Sequence, residues 1–380
     1  MRIYLDNAAT TALRPEVAEA MSESMRLHFG NPSSIHADGR LVRAALESAR
    51  KTIARHLNAS IGEIFFTSGG TESNNMAIKC AVRDLGVNHI VSATTEHHCV
   101  LHSLEAVQAA GVGITLLEVD HKGHLSYQAL EAVLQDLRRQ EATVMVSLMH
   151  GNNEIGTLHD LDRIAEYCRL YGAYFHSDTV QTVGHFPLDV SRTPIHFLSG
   201  GAHKFHGPKG VGFIYINSGT RLKPWIDGGA QERNMRGGTE NVTGIIGMAK
   251  AFDLACLAME DIRTHILDLR QYFVSRLQER FEDIRFNGDI DGNSLYTVLS
   301  VSFPPSPTAS LLLLQLDIEG ISASGGSACS SGAEAGSHVL RAIRADSDRK
   351  SIRFSFSHSN TRSEIDHVLD KLEKWVEPRR

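Results

Sequence analysis

Short apolar runs, rich in β-branched and aromatic residues, recur at 63–66, 89–92, 114–119, 143–148, 173–176, 196–198 and 211–216. Runs of this length between polar and glycine-containing stretches predict buried strands. Helical patterns lie between many of them. Within 160–171, Leu161, Ile164, Ala165 and Cys168 recur at a spacing that puts them on one helical face. Strands that alternate with helices predict a largely parallel sheet covered by helices. A long amphipathic helix follows at 259–281, with Ile262, Ile266, Leu269, Phe273 and Leu277 on one side. Separated strands at 297–303 and 351–357 and a last helix at 364–375 then change the pattern to that of a smaller α+β unit. The expected division is a large domain, 14–258, and a small domain made of 1–13 with 259–380. No internal repeat or low-complexity tract appears, and Pro304-Pro305-Ser306-Pro307 reads as a local turn.

Composition narrows the class. A chain of 380 residues is long enough for two domains, and 42% hydrophobic with 22% charged residues fits a folded enzyme-sized protein. The net charge of −6 is spread along the chain without a basic block, so neither nucleic acid nor a membrane surface is an expected partner. The N-terminus lacks the charged-then-apolar order of a signal peptide, and the apolar cluster around Leu311 to Leu314 is too short to span a bilayer. Five widely spaced cysteines (Cys80, Cys99, Cys168, Cys256, Cys329) without a Cys-x-x-Cys pair point to a reducing, cytoplasmic setting.

In open α/β sheets ligands bind beyond the carboxyl ends of the strands, so the segments that leave each strand carry the candidate chemistry. After Phe66 comes Thr67-Ser68-Gly69-Gly70-Thr71-Glu72-Ser73-Asn74-Asn75, opening a helix. Free N–H groups and the helix dipole there would cradle a phosphate, although an ordinary N-capped helix has the same look. Thr95-Glu96-His97-His98-Cys99 places an imidazole where it could stack on a flat ligand or move a proton. His98 and His102 have the i, i+4 spacing of a metal pair, but no third ligand is evident and no metal site is expected. Asp178 follows an apolar strand, where a carboxylate needs a cationic or N–H partner; as a cap it would have one too.

Lys204, in Ser199-Gly200-Gly201-Ala202-His203-Lys204-Phe205-His206-Gly207, lies between apolar strands among glycines. Desolvation there would lower its pKa and make it a carbonyl nucleophile, whereas Lys209 reads as a surface loop lysine. Cys329 stands among small residues, Gly325-Gly326-Ser327-Ala328-Cys329-Ser330-Ser331-Gly332, that build no core and allow movement. A thiol in such a loop is exposed and able to ionise, so it reads either as a nucleophile or as a tolerated surface cysteine. The other four cysteines lie in apolar contexts and read as small hydrophobes. A phosphate cradle, a strand-end carboxylate, a stacking-capable histidine and a partly desolvated lysine are together the parts that hold pyridoxal phosphate.

These segments resemble the cysteine desulfurases of the class V, fold-type-I pyridoxal-phosphate enzymes. The resemblance rests on Tyr4-Leu5-Asp6-Asn7-Ala8-Ala9-Thr10, Gly30-Asn31-Pro32-Ser33-Ser34, Thr67 to Asn75, Thr95-Glu96-His97, Asn152-Asn153-Glu154-Ile155-Gly156, His203 to Gly210, Arg236-Gly237-Gly238-Thr239-Glu240-Asn241 and Gly326-Ser327-Ala328-Cys329. It runs the length of the chain in order, and is greatest toward the group that serves iron–sulfur cluster assembly. It implies an α/β fold-type-I transferase with a mainly parallel seven-stranded sheet in the large domain and a smaller α+β domain.

The resemblance also implies roles. Lys204 would form the Schiff base with pyridoxal 5'-phosphate, His97 would stack on its ring, Asp178 would pair with the ring nitrogen and Gln181 with the phenolic oxygen. Gly70, Thr71 and His203 would hold the phosphate, joined by Thr239 from the neighbouring subunit of a homodimer. Asn153 and Arg353 would grip the carboxylate of L-cysteine. Cys329, on a mobile loop at about 322–335, would take the sulfur as a persulfide, leaving L-alanine, and pass it to an acceptor or scaffold protein for iron–sulfur cluster assembly or thiolation. The family commonly has Ser where this chain has Gly201; Ser199 or backbone N–H groups are expected to compensate. The chain ends soon after its last predicted helix, so the resemblance does not name the acceptor. Rival readings are a selenocysteine lyase, a class V aminotransferase, and a catalytically idle partner subunit of the same fold. Cys329 counts against a transaminase, and the complete set of Lys204, Asp178, His97 and Cys329 against an idle fold.

Overall fold

Each of the seven apolar runs forms a strand of one sheet in the computed structural model, which describes residues 2–306, 309–325 and 336–379. The chain opens with β1 (Ile3–Tyr4), α1 (Pro15–Leu27) and α2 (Ala37–Leu57). It then alternates through β2 (Ile64–Thr67), α3 (Gly70–Leu85), β3 (His89–Ala93), α4 (His98–Gln108), β4 (Gly113–Leu117) and α5 (Tyr127–Arg139). The alternation continues with β5 (Val144–Ser147), α6 (Leu161–Tyr171) and β6 (Tyr174–Asp178), followed by β7 (Phe197–Gly201) and β8 (Gly212–Ile216). The order across the sheet is β2-β8-β7-β6-β5-β3-β4. Strand β8 runs antiparallel to both of its neighbours, and every other pair is parallel.

Helices cover both faces, so these strands are buried on both sides and read as unbroken apolar runs. Alternate residues feed two cores. Val146, Phe175, Phe213 and Tyr215 face the core that also holds Leu46, Ile53, Ile164 and Phe252. Met145, Phe197, Ile214 and Ile216 face the core that holds Met76, Ile78, Val100 and Leu104. Strands β6 and β7 run further than their apolar residues indicate, into Asp178 and Gly201, because backbone ladders extend them: Asp178 pairs with Ser199 and Gly201 with Gly212.

After the one-turn α7 (Gln231–Asn234), helices α8 (Val242–Leu257) and α9 (Met259–Arg280) meet at Ala258 with a bend of 71°. The remainder contains β9 (Arg285–Asn287), β10 (Val298–Phe303), α10 (Leu312–Ile318), β11 (Ile321–Ser322), α11 (His338–Ala342), β12 (Lys350–Ser355) and α12 (Arg362–Leu372). Strands β12, β10 and β9 make an antiparallel sheet, and β1 pairs in parallel with β11. A third core gathers Ile3 and Leu5 with Ile266, Leu269, Phe273, Leu277, Phe354 and Leu369. The first strand of the chain is thus packed among its last elements. Helix α11 does the reverse, since Val339 and Ile343 pack into the core of the large sheet. Among the described residues no single helix is long and apolar enough to cross a membrane.

Candidate active site

The segments that leave β2, β3, β5, β6 and β7 wall a cavity of about 400 Å³, closed by Ala8 and Ala9, by His338 of α11 and by Arg353 of β12. Gly70, Thr71, His97, Asn153, Asp178, Gln181, His203, Lys204 and Arg353 all lie on that wall. Residues about 200 positions apart in sequence meet there: Lys204 Nζ donates to the Ala8 carbonyl across 196 positions and Arg353 Nη1 to Asn153 O across 200.

Lys204 follows β7 in a 3-10 turn (Ala202–Lys204), and its Nζ donates to the carbonyls of Ala8 at 2.6 Å and Ala9 at 2.8 Å. Asp178 ends β6 almost fully buried; its Oδ2 accepts from Asn74 Nδ2 at 2.7 Å and its Oδ1 from the Val180 N–H at 3.0 Å. The partner expected for a buried carboxylate is therefore an amide, and the cap is made as well. Gln181 Nε2 donates to Ala8 O at 3.0 Å.

His97 is the N-cap of α4, its Nδ1 accepting from the Cys99 N–H at 3.2 Å. Burial holds its pKa below the ordinary value; Asp178 opposes this and Lys204 adds to it. His203, with Nδ1 3.2 Å from Thr10 Oγ1, is brought down to about 4 by burial and by Lys204 and Lys209. It is neutral near pH 7 and able to donate a hydrogen bond.

Helix α3 begins at Gly70, where the first turn leaves N–H groups without intrahelical partners. A Cβ at Gly70 would lie 2.4 Å from Val180 Cγ2, so only glycine brings that backbone so close. Helix N-termini bind anions through such N–H groups. At Gly201 a Cβ would meet only ordinary contacts, 3.5 Å from Val180 Cγ1 and 3.6 Å from Gly70 N. Ser199 does not compensate for the missing hydroxyl. It is buried away from the cavity wall, 3.3 Å from His176 Nε2.

Arg353 is only 2% exposed. Its Nη1 donates to Asn153 O at 2.8 Å and its Nη2 to Asp6 Oδ1 at 2.8 Å, while Nε is buried without a hydrogen-bond partner. A guanidinium with an unused buried N–H on a cavity wall suits a carboxylate ligand.

Thr239 is exposed and borders a different hollow with Ser68 and Asn241, so this chain does not bring it to the cavity. Cys329 lies outside the described residues. The rings of His98 and His102 are 5.4 Å apart, and among the described residues no three His, Cys, Asp or Glu side chains are arranged to hold a metal ion. One expectation is corrected outright. Cys99 is no simple core hydrophobe: its thiol faces the cavity wall 3.0 Å from His97 Nδ1, and burial pushes its pKa up to about 12. Asn74 and Asp6 also escape detection as site residues from sequence, because their roles depend on partners over 100 positions away. The signal present was only their place inside segments already singled out.

Comparison with known proteins shows the family and the fold. The family model of aminotransferase class-V matches residues 3–368. A curated relative, "Cysteine desulfurase IscS" of Dictyoglomus turgidum, is 45% identical over 99% of this chain and 94% of its own length. The solved structure of a "NifS-like protein" superposes with a TM-score of 0.90 at 34% identity, covering 98% of this chain and 99% of that one. Another, titled "SspA in complex with cysteine", gives a TM-score of 0.81 at 29% identity over 95% of this chain and 100% of that one. With its mainly parallel sheet and the cavity at its strand ends, the chain belongs to the class V aminotransferase family and, within it, to the cysteine desulfurases.

Proposed function

We propose that this protein uses pyridoxal phosphate to remove sulfur from L-cysteine, giving L-alanine and a persulfide on Cys329. The observation that carries the reading is one cavity on which an amine, a buried carboxylate, a neutral histidine and a buried guanidinium converge. The wall fits the cofactor. Gly70 and its neighbours offer helix N–H groups to a phosphate where a side chain would collide, and Asp178 offers a buried carboxylate to a ring nitrogen. Gly70, Thr71 and His203 would hold the phosphate, Asp178 the ring nitrogen, Gln181 the phenolic oxygen, His97 the ring face and Lys204 the aldehyde carbon. Bound there, the cofactor supplies an electron sink for the α-carbon of the amino acid.

The chain's own residues do the rest. Asn153 and Arg353 bind the substrate carboxylate. The Lys204 amine would carry the α-proton. The Cys329 thiolate attacks the substrate sulfur: an S–S bond forms as the carbon–sulfur bond breaks, and protons return to the three-carbon product as alanine. Cysteine and one enzyme thiol thus become alanine and one enzyme persulfide.

The persulfide would be handed to an acceptor or scaffold protein, for iron–sulfur cluster assembly or thiolation. A homodimer would bring Thr239 to the neighbouring cavity. Support comes from its exposure here and from exposed Phe29 and Ile35 on the surface. In this reading 14–258 is the cofactor domain, 1–13 with 259–380 the domain that delivers the thiol, and the setting is a reducing cytoplasm.

The test is alanine and sulfide formation from cysteine by wild type and Cys329→Ser side by side, with reductant. Wild type should form both; the variant should keep the visible absorption of the cofactor and release no sulfide. Full sulfide release by Cys329→Ser would overturn the assignment of the thiol. No alanine from cofactor-loaded wild type would overturn the activity.

A further inference from the structure

Asn74 is the centre of a buried hydrogen-bonded chain that the roles above leave unused. Its Nδ2 donates to Asp178 Oδ2 at 2.7 Å and to Cys99 Sγ at 3.2 Å, and its Oδ1 lies 3.0 Å from His176 Nε2. The Cys99 sulfur is 3.0 Å from His97 Nδ1, the same nitrogen that accepts from the Cys99 backbone N–H. Asn74 and His176 are fully buried.

The chemistry of each group sets the direction of these bonds. An amide nitrogen only donates, so the sulfur accepts from Asn74. Burial and Asp178 keep Cys99 a thiol, with a pKa of about 12. Its proton therefore has an acceptor in His97 Nδ1, and that nitrogen carries no proton of its own.

We propose that Cys99 is a positioning residue for His97. Its S–H and N–H both donate to Nδ1, which holds the imidazole neutral with its proton on Nε2 and ties the ring through Asn74 to Asp178. The proposal deepens, and rests on, the reading of His97 as the residue against the cofactor ring. Asp178 at the end of β6 faces His97 and favours its charged form. Lys204 after β7, His98 on α4 and His338 on α11 disfavour that form, and burial disfavours it most. A hydrogen bond donated to the ring's lone pair acts with this second group, since it stabilises the neutral form. Alanine at 99 removes that donor and strands one Asn74 N–H; serine keeps both bonds.

The experiment follows the His97 ring signals by NMR in full-length ¹⁵N-histidine-labelled protein, with and without pyridoxal phosphate, the signals being assigned by their loss in His97→Gln. The pH profile of alanine formation is measured alongside. In Cys99→Ala the His97 midpoint should rise by about half a unit or more, roughly one hydrogen bond's worth, and the acid limb of the profile should rise with it. Cys99→Ser should titrate as wild type. An unmoved midpoint in Cys99→Ala, or an equal rise in Cys99→Ser, overturns the proposal. A raised midpoint in Cys99→Ala alone, with an unmoved acid limb and with His97 signals indifferent to cofactor, supports the Cys99 contact and overturns instead the placement of His97 at the ring.

Discussion

Asp6 Oδ1 accepts a hydrogen bond from Arg353 Nη2 at 2.8 Å, joining the first residues of the chain to its last strand. The guanidinium is nearly buried and the carboxylate about one-fifth exposed, so the pair is only partly screened. With Asn153 O on the other terminal nitrogen, two bonds fix the plane of the fork.

Substrate grip should depend on that plane. Arg353→Lys loses the fork and should raise KM for cysteine about 100-fold; Asp6→Asn keeps the shape, loses the charge and should raise it about 10-fold. Turnover at saturating cysteine should fall less than KM rises. Steady-state alanine formation reads both, and wild-type KM in Arg353→Lys would remove Arg353 from the substrate site.

Lys204→Ala removes the only cavity-lining lysine among the described residues. Alanine formation should drop by at least about 1,000-fold, since both the cofactor attachment and a positioned proton carrier are lost. The cofactor should remain bound through its other contacts but become extractable on denaturation without prior cleavage of a bond. Mass spectrometry after borohydride reduction should find the label on Lys204 in wild type and nowhere in the variant.

Glycines 70 and 201 should respond oppositely to a side chain. Gly70→Ala drives a Cβ to 2.4 Å from Val180 Cγ2 and should weaken pyridoxal phosphate binding by about 10-fold or more. Gly201→Ser has room and an extended backbone (φ −136°, ψ 118°), and its hydroxyl would lie near the first N–H groups of α3. Binding should tighten by about 3- to 10-fold, as one further hydrogen bond allows. Fluorescence titration of cofactor-free protein measures both, and weaker binding in Gly201→Ser would mean that the phosphate lies elsewhere.

Acid should destabilise the fold well above the carboxylate range. Burial brings His159, His176 and His206 from their ordinary 6.5 down to about 3. Between these values the unfolded chain binds protons that the folded chain refuses, so this stability is whole above pH 6.5 and is lost as pH falls toward 3. The slope approaches about 1.4 kcal/mol per pH unit for each such histidine. Urea midpoints at about pH 7, 6 and 5 should fall in that order; a flat series would mean that these rings are already charged in the folded state.

Local pattern carried much of the answer. Strands buried on both faces need unbroken apolar runs, so all seven strands of the large sheet were legible, as were α6 and α9 from their single apolar faces. Glycines and hydroxyls after Phe66 and the glycine-flanked Lys204 were legible for a similar reason, since strand ends are where a sheet admits ligands. What escaped depends on contacts between distant segments. The antiparallel sense of β8, the entry of β1 into the C-terminal core and the return of α11 to the large sheet leave no mark on local periodicity.

The same division holds inside the site. Sequence alone determined which groups are present: Lys204, Asp178, His97, Arg353 and, outside the described residues, Cys329. Tertiary structure decided how they are held. It turned Ser199 toward His176, aimed Arg353 with Asp6, placed Thr239 away from its own chain's cavity, and made Cys99 a neighbour of His97 and Asn74. Residue type sets what a group can donate, accept or attack, and that is written in the chain; which partner it meets depends on how segments far apart in sequence pack, and only the folded arrangement of cores and sheet ends decides that.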